Sequence, residues 1–202
     1  MSRLNENRKS HYGSSMNPHY MAEWGRTIAK EVDALIADGK FPILVYRGMS
    51  GTTAATAISM FITKTDTVDF GTVYVRKKNE KSHGSSIEHS RIILGDRKPV
   101  WIICDDFISS GTTALEVLKA ITAFFKIEIP FHSVRYALSL DHRCDYANTI
   151  NDVETAVSIR HDAAAIVKGM KQKYNRFLNA QRKKRKEAEA RQAEFIKSMG
   201  WT

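Results

Sequence analysis

One segment constrains the fold of this chain more than any other. Apolar residues run from Val100 to Cys104, and two adjacent acids, Asp105 and Asp106, follow them. A short loop rich in Ser and Thr comes next. Apolar residues then recur at helical spacing, at Ala114, Leu115, Val117, Leu118, Ile121, Phe124 and Phe125. This order predicts a buried strand, a tight turn and the start of a helix, which together are the repeating unit of an α/β fold.

The predicted turn between this strand and helix suits an anionic ligand. Backbone N–H groups, hydroxyl groups and the helix dipole all favour a phosphate at the start of a helix. The carboxylates of Asp105 and Asp106 can accept hydrogen bonds from neighbouring sugar hydroxyls, or hold a water on Mg²⁺. A ligand with a phosphate at one end and a diol at the other would fit. An ordinary strand–turn–helix with solvated acids stays open as the alternative.

Residues 100–113 resemble the motif with which type I phosphoribosyltransferases bind 5-phosphoribosyl-1-pyrophosphate (PRPP). In that family a hydrophobic strand leads to two acids and then to a loop rich in Thr, Ser and Gly. The resemblance implies that Asp105 and Asp106 hold the ribose hydroxyls and contact Mg²⁺ indirectly, through water or PRPP. It also implies that the 5-phosphate is held by the loop residues Ser109, Ser110, Gly111, Thr112 and Thr113.

A second segment, residues 73–86, resembles the mobile catalytic loop of orotate phosphoribosyltransferases, where Arg-Lys leads to Lys-x-His-Gly. This chain has one extra residue before Lys81, so either the loop bulges or the lysine role moves to Lys78. Cations that close over departing pyrophosphate would stabilise its charge out of water. A solvated basic hairpin is the alternative. The resemblance implies catalytic contacts, partly across a dimer interface, from Arg76, Lys77, Lys81 and His83.

A third segment, Ile43–Thr52, reads as a buried strand that ends in a turn before an alanine-rich helix. In the same family a short loop at this place binds pyrophosphate, and orotate and adenine enzymes have a basic residue before its glycine. Arg47 and Gly48 match that pair of residues. A simple strand-to-helix turn is the alternative for this segment alone. The three segments occur in the order in which the family has them.

The remaining pattern predicts a parallel sheet with helices on both faces. Asn17 and Pro18 are typical of a helix start, and Gly39 is typical of its end. We expect strands at residues 42–47, 70–76, 99–104 and 131–140, with residues 91–94 returning from the mobile loop, and helices over 51–63 and up to about 125. The expected fold class is therefore α/β: a type I phosphoribosyltransferase-like core with a small hood over residues 1–150, and a helical, basic C-terminal extension over 151–202.

The positive charge is concentrated in the extension. From Lys168 onward the chain has 11 of its 31 Lys and Arg but 3 of its 22 Asp and Glu, a net charge of +8 against +1 for the rest. Residues Arg182–Lys186 form an uninterrupted basic run. We expect a helix that packs on the core or on a partner subunit and has a solvated end. Binding of nucleic acid through phosphate contacts is the less favoured reading. The expected apolar stripe comprises Val153, Val157, Ala164, Val167, Met170, Tyr174, Phe177 and Leu178, resuming partly at Ala188, Phe195, Ile196 and Met199.

The composition limits the cellular compartments in which we expect this protein. No apolar run approaches the roughly 20 residues that span a bilayer, and the N-terminal residues lack the apolar stretch of a signal peptide. Cys104 and Cys144 lie in unlike contexts without metal-ligand spacing, so we expect two reduced thiols in a cytoplasmic protein.

These readings combine into one expected function. The chain should transfer ribose-5-phosphate from PRPP to a nucleobase with Mg²⁺, releasing pyrophosphate, as a homodimer. Hypoxanthine and guanine enzymes of the family have an aspartate in the PRPP loop where this chain has Ser109, so an orotate-like or adenine-like acceptor is expected. The alternative is a PRPP-sensing regulator that binds nucleic acid through its basic tail.

Overall fold

The protein was analysed as a computed structural model that describes residues 17–63, 69–77, 80, 86–139, 149–157 and 162–199. Within them, helices and strands alternate through most of the chain. The strands are β1 (Lys40–Tyr46), β2 (Gly71–Val75), β3 (Ile87–His89), β4 (Lys98–Asp105) and β5 (Arg135–Leu138). The helices are α1 (Pro18–Ala37), α2 (Gly48–Ser59), α3 (Thr112–Phe125), α4 (Val153–Val157) and α5 (Ala163–Ser198), with one 3₁₀ turn at Phe131–Ser133. The prediction of an α/β chain is confirmed.

The strands form one five-stranded sheet in the order β3-β2-β1-β4-β5. Strands β2, β1, β4 and β5 are parallel, with Val45 paired with both Val73 and Ile103. The short strand β3 is antiparallel to β2 and forms one edge. Strands β1 and β4 are therefore central and nearly continuous in their apolar character, as expected of strands buried on both faces.

Helices cover both faces of the sheet, as predicted. Helices α1 and α2 cover one face, where Trp24, Ile28 and Ile58 pack against Leu44 and Ile102. Helices α3, α4 and the first half of α5 cover the other face, and their buried residues include Leu118, Ile121, Val153, Val157, Met170 and Tyr174. Each face buries a separate apolar cluster, so the sheet is the middle layer of three.

The start of α1 follows the predicted cap. The Asn17 side chain accepts hydrogen bonds from the backbone N–H groups of His19 and Tyr20, and Pro18 is the first helical residue.

Helix α1 also contacts the residue that follows β5. The Tyr20 hydroxyl donates a hydrogen bond to the backbone carbonyl of Ser139, at 2.7 Å. Helix α1 thus anchors the chain just beyond β5.

The return from the predicted mobile loop lies earlier than expected. Strand β3 covers Ile87–His89, whereas residues 91–94 are not a strand. The physical reason is the length of the neighbouring strand. His89 pairs with Val73 and β2 begins at Gly71, so β2 can reach at most to residue 91 and cannot pair with residues 92–94. Instead Arg97 holds residues 91–94 in place. Its guanidinium donates hydrogen bonds to the Ile93 carbonyl and to the Asp69 carboxylate.

Helix α5 is the longest element, with 36 residues, or about 54 Å at 1.5 Å per residue. Its first half packs on the core through Met170 and Tyr174, and Phe177 and Leu178 are partly buried there. Every residue from Arg182 to Met199 is exposed. No helix within the described residues is both long and apolar enough to cross a membrane.

Candidate functional site

A cavity lies at the carboxyl ends of β1 and β4, where ligands bind in parallel α/β sheets. We call it the large cavity. It encloses about 800 Å³, within the range of small-molecule sites. Parts of all three segments singled out in the sequence line it. The predicted site residues on its wall are Arg47, Gly48, Lys77, Asp105, Asp106, Ser109, Ser110, Gly111, Thr112 and Thr113.

The two acids lie at the end of β4 and are held by short hydrogen bonds. The Asp106 backbone N–H donates to Oδ1 of Asp105, and the Phe107 backbone N–H donates to Oδ1 of Asp106, both at 3.0 Å. Burial and the neighbouring Asp106 carboxyl raise the pKa of Asp105 to about 7. A cation or hydrogen-bond donors from a ligand would favour the ionised form of Asp105.

The loop from Ser109 to Thr113, which we call the anion loop, turns sharply into α3. Gly111 is the N-cap and has a left-handed φ of +72°, a conformation that favours glycine. The hydroxyls of Ser110 and Thr112 lie 2.9 Å apart, within hydrogen-bonding distance. Ser109, Ser110, Thr112 and Thr113 are exposed, so the loop presents hydroxyls and the positive end of a helix dipole to the cavity.

Helix α5 supports the anion loop from behind. A Cβ atom placed on Gly111 would lie 2.2 Å from Sδ of Met170 on α5. A second cavity of about 240 Å³ lies on that side and is lined by Ser110, Gly111, Thr112, Gly169, Lys173 and neighbouring residues. The anion loop is thus a thin wall between two cavities, and glycine at position 111 permits its close approach to α5.

Cations of the second and third segments also line the large cavity. Gly48 begins α2 with a φ of +67°, and the Lys77 ammonium group would lie 3.2 Å from a Cβ atom placed there. Nε of Arg47 is buried and has no hydrogen-bond partner among the described residues. Arg47 and Lys77 therefore bring positive charge to the cavity that the acids and the anion loop also line.

The other residues of the predicted mobile loop have different positions. Arg76 does not line the cavity; its guanidinium forms an ion pair with Glu88 on β3. Glu80 accepts hydrogen bonds from the Tyr74 hydroxyl, at 3.0 Å, and from the Lys77 backbone N–H, at 3.2 Å. The positions of Lys78, Lys81 and His83 lie outside the described residues, as does Cys144. Cys104 is buried as a free thiol, and burial raises its pKa, so it is chemically inert.

Several cavity residues carried no recognisable signal in the sequence. Ser50 donates a hydrogen bond to Oδ1 of Asp105, at 3.1 Å, from the first turn of α2. Tyr136 and Leu138 reach the cavity from β5, whose pairing with β4 places Tyr136 beside Ile103. The Tyr136 hydroxyl is buried without a partner among the described residues, and burial raises its pKa. The adjacency of β4 and β5 is the feature that could have identified Tyr136 and Leu138.

The carboxylates offer limited support for a metal. Among the described residues, no group of three or more His, Cys, Asp or Glu side chains could enclose an ion. Asp105 and Asp106 alone fit a Mg²⁺ ion that takes most of its oxygen ligands from water and a phosphorylated ligand, which is the usual manner of Mg²⁺ binding. The site is therefore compatible with Mg²⁺ that arrives with a substrate.

Comparison with known proteins adds no assignment. No protein-family model matches this sequence, and no characterised protein is similar to it at a significant level.

Proposed function

We propose that this protein is a Mg²⁺-dependent phosphoribosyltransferase of the type I kind, which transfers ribose-5-phosphate from PRPP to a nitrogen of a nucleobase and releases pyrophosphate. The observation that carries the proposal is the meeting of three separate segments at one cavity. Acids, a hydroxyl-rich helix start and two cations come from positions far apart in the sequence and surround a space large enough for PRPP.

The proposed roles follow from the charge at each wall. The anion loop would hold the 5-phosphate, because backbone N–H groups and hydroxyls at a helix start favour a dianion. Asp105 and Asp106 would accept hydrogen bonds from the 2- and 3-hydroxyls of the ribose. Arg47 and Lys77 would face the pyrophosphate at the opposite end of the sugar. PRPP would then lie across the carboxyl ends of β1 and β4.

Catalysis would come mainly from positioning and charge stabilisation. As the bond to pyrophosphate lengthens, negative charge grows on the leaving group, and Arg47 and Lys77 would stabilise it within the cavity. The carboxylates below the ribose would stabilise the oxocarbenium character of the ring. Bound Mg²⁺ would neutralise part of the pyrophosphate charge. Arg76, Lys81 and His83 are proposed to complete the cationic cover, in one subunit or across a homodimer.

The proposed acceptor is an orotate-like or adenine-like base. A polar hydroxyl at Ser109 replaces the carboxylate that a hypoxanthine or guanine enzyme would use as proton acceptor. The mobile-loop resemblance favours orotate, and Arg47 before Gly48 is compatible with both bases. The hood is proposed to form from residues 1–16 and 141–146, which lie outside the described part of the chain.

The direct test is pyrophosphate release. The full-length protein would be incubated with PRPP, Mg²⁺ and a panel that includes orotate, adenine, hypoxanthine and guanine, and pyrophosphate would be measured with a coupled assay. We expect release with one base and none with the Asp105→Asn, Asp106→Asn double variant. PRPP binding without release for any base would favour the sensing role instead, and no PRPP binding would refute both.

A further inference from the structure

Five of the cations of α5 lie on one side of the helix, along most of its length. With 3.6 residues per turn, Lys168, Lys171, Arg182, Lys186 and Lys197 fall on one side of the helix, together with the amides of Asn175 and Asn179. We call these seven residues the basic stripe. From Lys168 to Lys197 it extends about 44 Å along the helix at 1.5 Å per residue. The stripe is longer than the part of α5 that the core covers.

Carboxylates interrupt the other side of α5 but hardly touch the stripe. Glu187 and Glu194 lie roughly a quarter turn around the helix from the middle of the stripe, and Glu187 pairs with Lys183, at 4.0 Å. At the margin of the stripe lies Glu189, which is already paired with Arg185, at 2.8 Å. Helix α5 is wholly within the described residues, so this sorting describes the whole helix. A helix that was merely solvated would not require one side to be free of unpaired carboxylates.

The core contributes one acid to the stripe. Arg182 donates to both oxygens of Glu128, at 2.6 and 2.5 Å, and this ion pair is the last polar contact between α5 and the rest of the described chain. Both side chains are about half exposed, so the pair leaves Arg182 accessible from solvent.

The apolar residues near the end of α5 lie on a third side. Phe195, Ile196 and Met199 continue the line of Met170, Tyr174, Phe177 and Leu178, which packs on the core. The stripe itself contains no aromatic residue. Stacking on single-stranded bases is therefore not supported, and the stripe can act on phosphates alone.

From these observations we propose that the basic stripe binds the phosphate backbone of double-stranded DNA without base specificity. A straight helix about 10–12 Å wide fits the B-form major groove, which is about 12 Å wide. Its cations then face the phosphates that flank the groove. Lysine and arginine bind phosphates with release of counterions, and amides such as Asn175 and Asn179 can donate to phosphate oxygens. The proposal does not depend on phosphoribosyl transfer.

The test compares two variants of the full-length chain that remove equal charge. In the first, four lysines of the stripe are replaced: Lys168→Gln, Lys171→Gln, Lys186→Gln and Lys197→Gln. In the control, four cations of α5 that do not belong to the stripe are replaced: Arg176→Gln, Lys183→Gln, Lys184→Gln and Arg191→Gln. Circular dichroism and thermal unfolding check that both keep their helix. Binding to a fluorescent 30-bp duplex of arbitrary sequence is then titrated over a series of salt concentrations.

We expect the logarithm of the wild-type association constant to fall with the logarithm of salt concentration at a slope of about −4 to −5, since five cations each contribute about −0.9. The stripe variant should bind at least about 30-fold more weakly, with a slope near −1. The control variant should keep most of the affinity and the slope. A truncation before Gln181 should bind weakly, because it loses Arg182, Lys186 and Lys197.

Three results would overturn the proposal. Equal loss in the two variants would mean that net charge alone attracts DNA. Absence of duplex binding by the wild type would leave α5 as an assembly helix. Binding to vesicles of anionic phospholipid in place of the duplex would assign the helix to a membrane surface. Pyrophosphate release by the stripe variant, measured in parallel, keeps this outcome separate from that of the proposed enzyme.

Discussion

The Ser50 hydroxyl lies 3.1 Å from Oδ1 of Asp105 and donates a hydrogen bond to it. The bond joins the first turn of α2 to the end of β4, and so connects the Arg47–Gly48 turn with the acid pair. It favours the ionised carboxylate, against burial and the neighbouring Asp106, which both raise the pKa of Asp105. Ser50 is therefore placed to tune the charge of the candidate site.

Replacing Ser50 should alter ligand affinity in a pH-dependent way. We expect Ser50→Ala to raise the pKa of Asp105 further, because a donor to the ionised form is lost. Affinity for PRPP near pH 7 should fall by about 3- to 10-fold, and the loss should shrink near pH 9, where the carboxyl is ionised in both proteins. Calorimetric titration at the two pH values measures this. Thr53→Ala is the control, since the Thr53 hydroxyl bonds only to the Met49 carbonyl on the same helix; an equal loss there would contradict the prediction.

The acid pair should be required for binding but not for folding. In the double variant Asp105→Asn, Asp106→Asn, the ribose hydroxyls lose charged acceptors and Mg²⁺ loses its carboxylates. PRPP binding should become undetectable by calorimetry, while the circular dichroism spectrum stays that of the wild type. Wild-type affinity in this variant would exclude these acids from the site.

Asp105 should also destabilise the fold at neutral and alkaline pH. Its pKa of about 7 in the folded protein lies above the ordinary value of 3.8, so the folded state binds a proton that the unfolded state has already released. Stability therefore falls as pH rises from about 4 to 7. We expect Asp105→Asn to raise the free energy of unfolding by on the order of 2–4 kcal/mol at pH 8, and by much less near pH 4. Urea unfolding at both pH values is the measurement, and a gain independent of pH would contradict the assigned cause.

The cations of the predicted mobile loop should affect the rate of turnover more than the affinity for PRPP. Lys77→Ala, and Lys81→Ala with His83→Ala, should lower kcat for phosphoribosyl transfer by about 10²-fold or more while the KM for PRPP changes little. If the loop serves a neighbouring subunit, mixing such a variant with the Asp105, Asp106 variant should restore part of the activity through hybrid dimers. Normal turnover in the double loop variant would make this segment a solvated hairpin.

Gly111 should be intolerant of a side chain for two reasons that can be separated. Gly111→Ala incurs the left-handed backbone cost of about 1 kcal/mol and also a contact with Met170. Gly39→Ala is the control, because Gly39 has a φ of +71° and open space around its Cβ position. We expect thermal unfolding to show a larger loss for Gly111→Ala, and Met170→Ala to relieve part of it. Equal losses of thermal stability at the two glycines would show that the contact with Met170 does not contribute.

Sequence patterns predicted the parts of this molecule whose causes are local. The Asn17 cap, the central strands and the anion loop each depend on neighbouring residues, and the structure has them where they were expected. Tyr136 and Ser50 were missed because they reach the cavity through pairing and packing of distant elements. The solvated end of α5 was expected, but the apolar stripe that resumes there is not buried. Phe195, Ile196 and Met199 are 63%, 41% and 54% exposed, because no described part of the core reaches them.

The contact of Met170 with Gly111 bears on the order in which the molecule is completed during synthesis. The anion loop leaves the ribosome well before α5 does, and α5 supplies the support behind it. A nascent chain that ends before Met170 has the anion loop without the part of α5 that packs behind it. Under the proposed function, competence to bind a phosphate should therefore arise late in translation, when the helix docks.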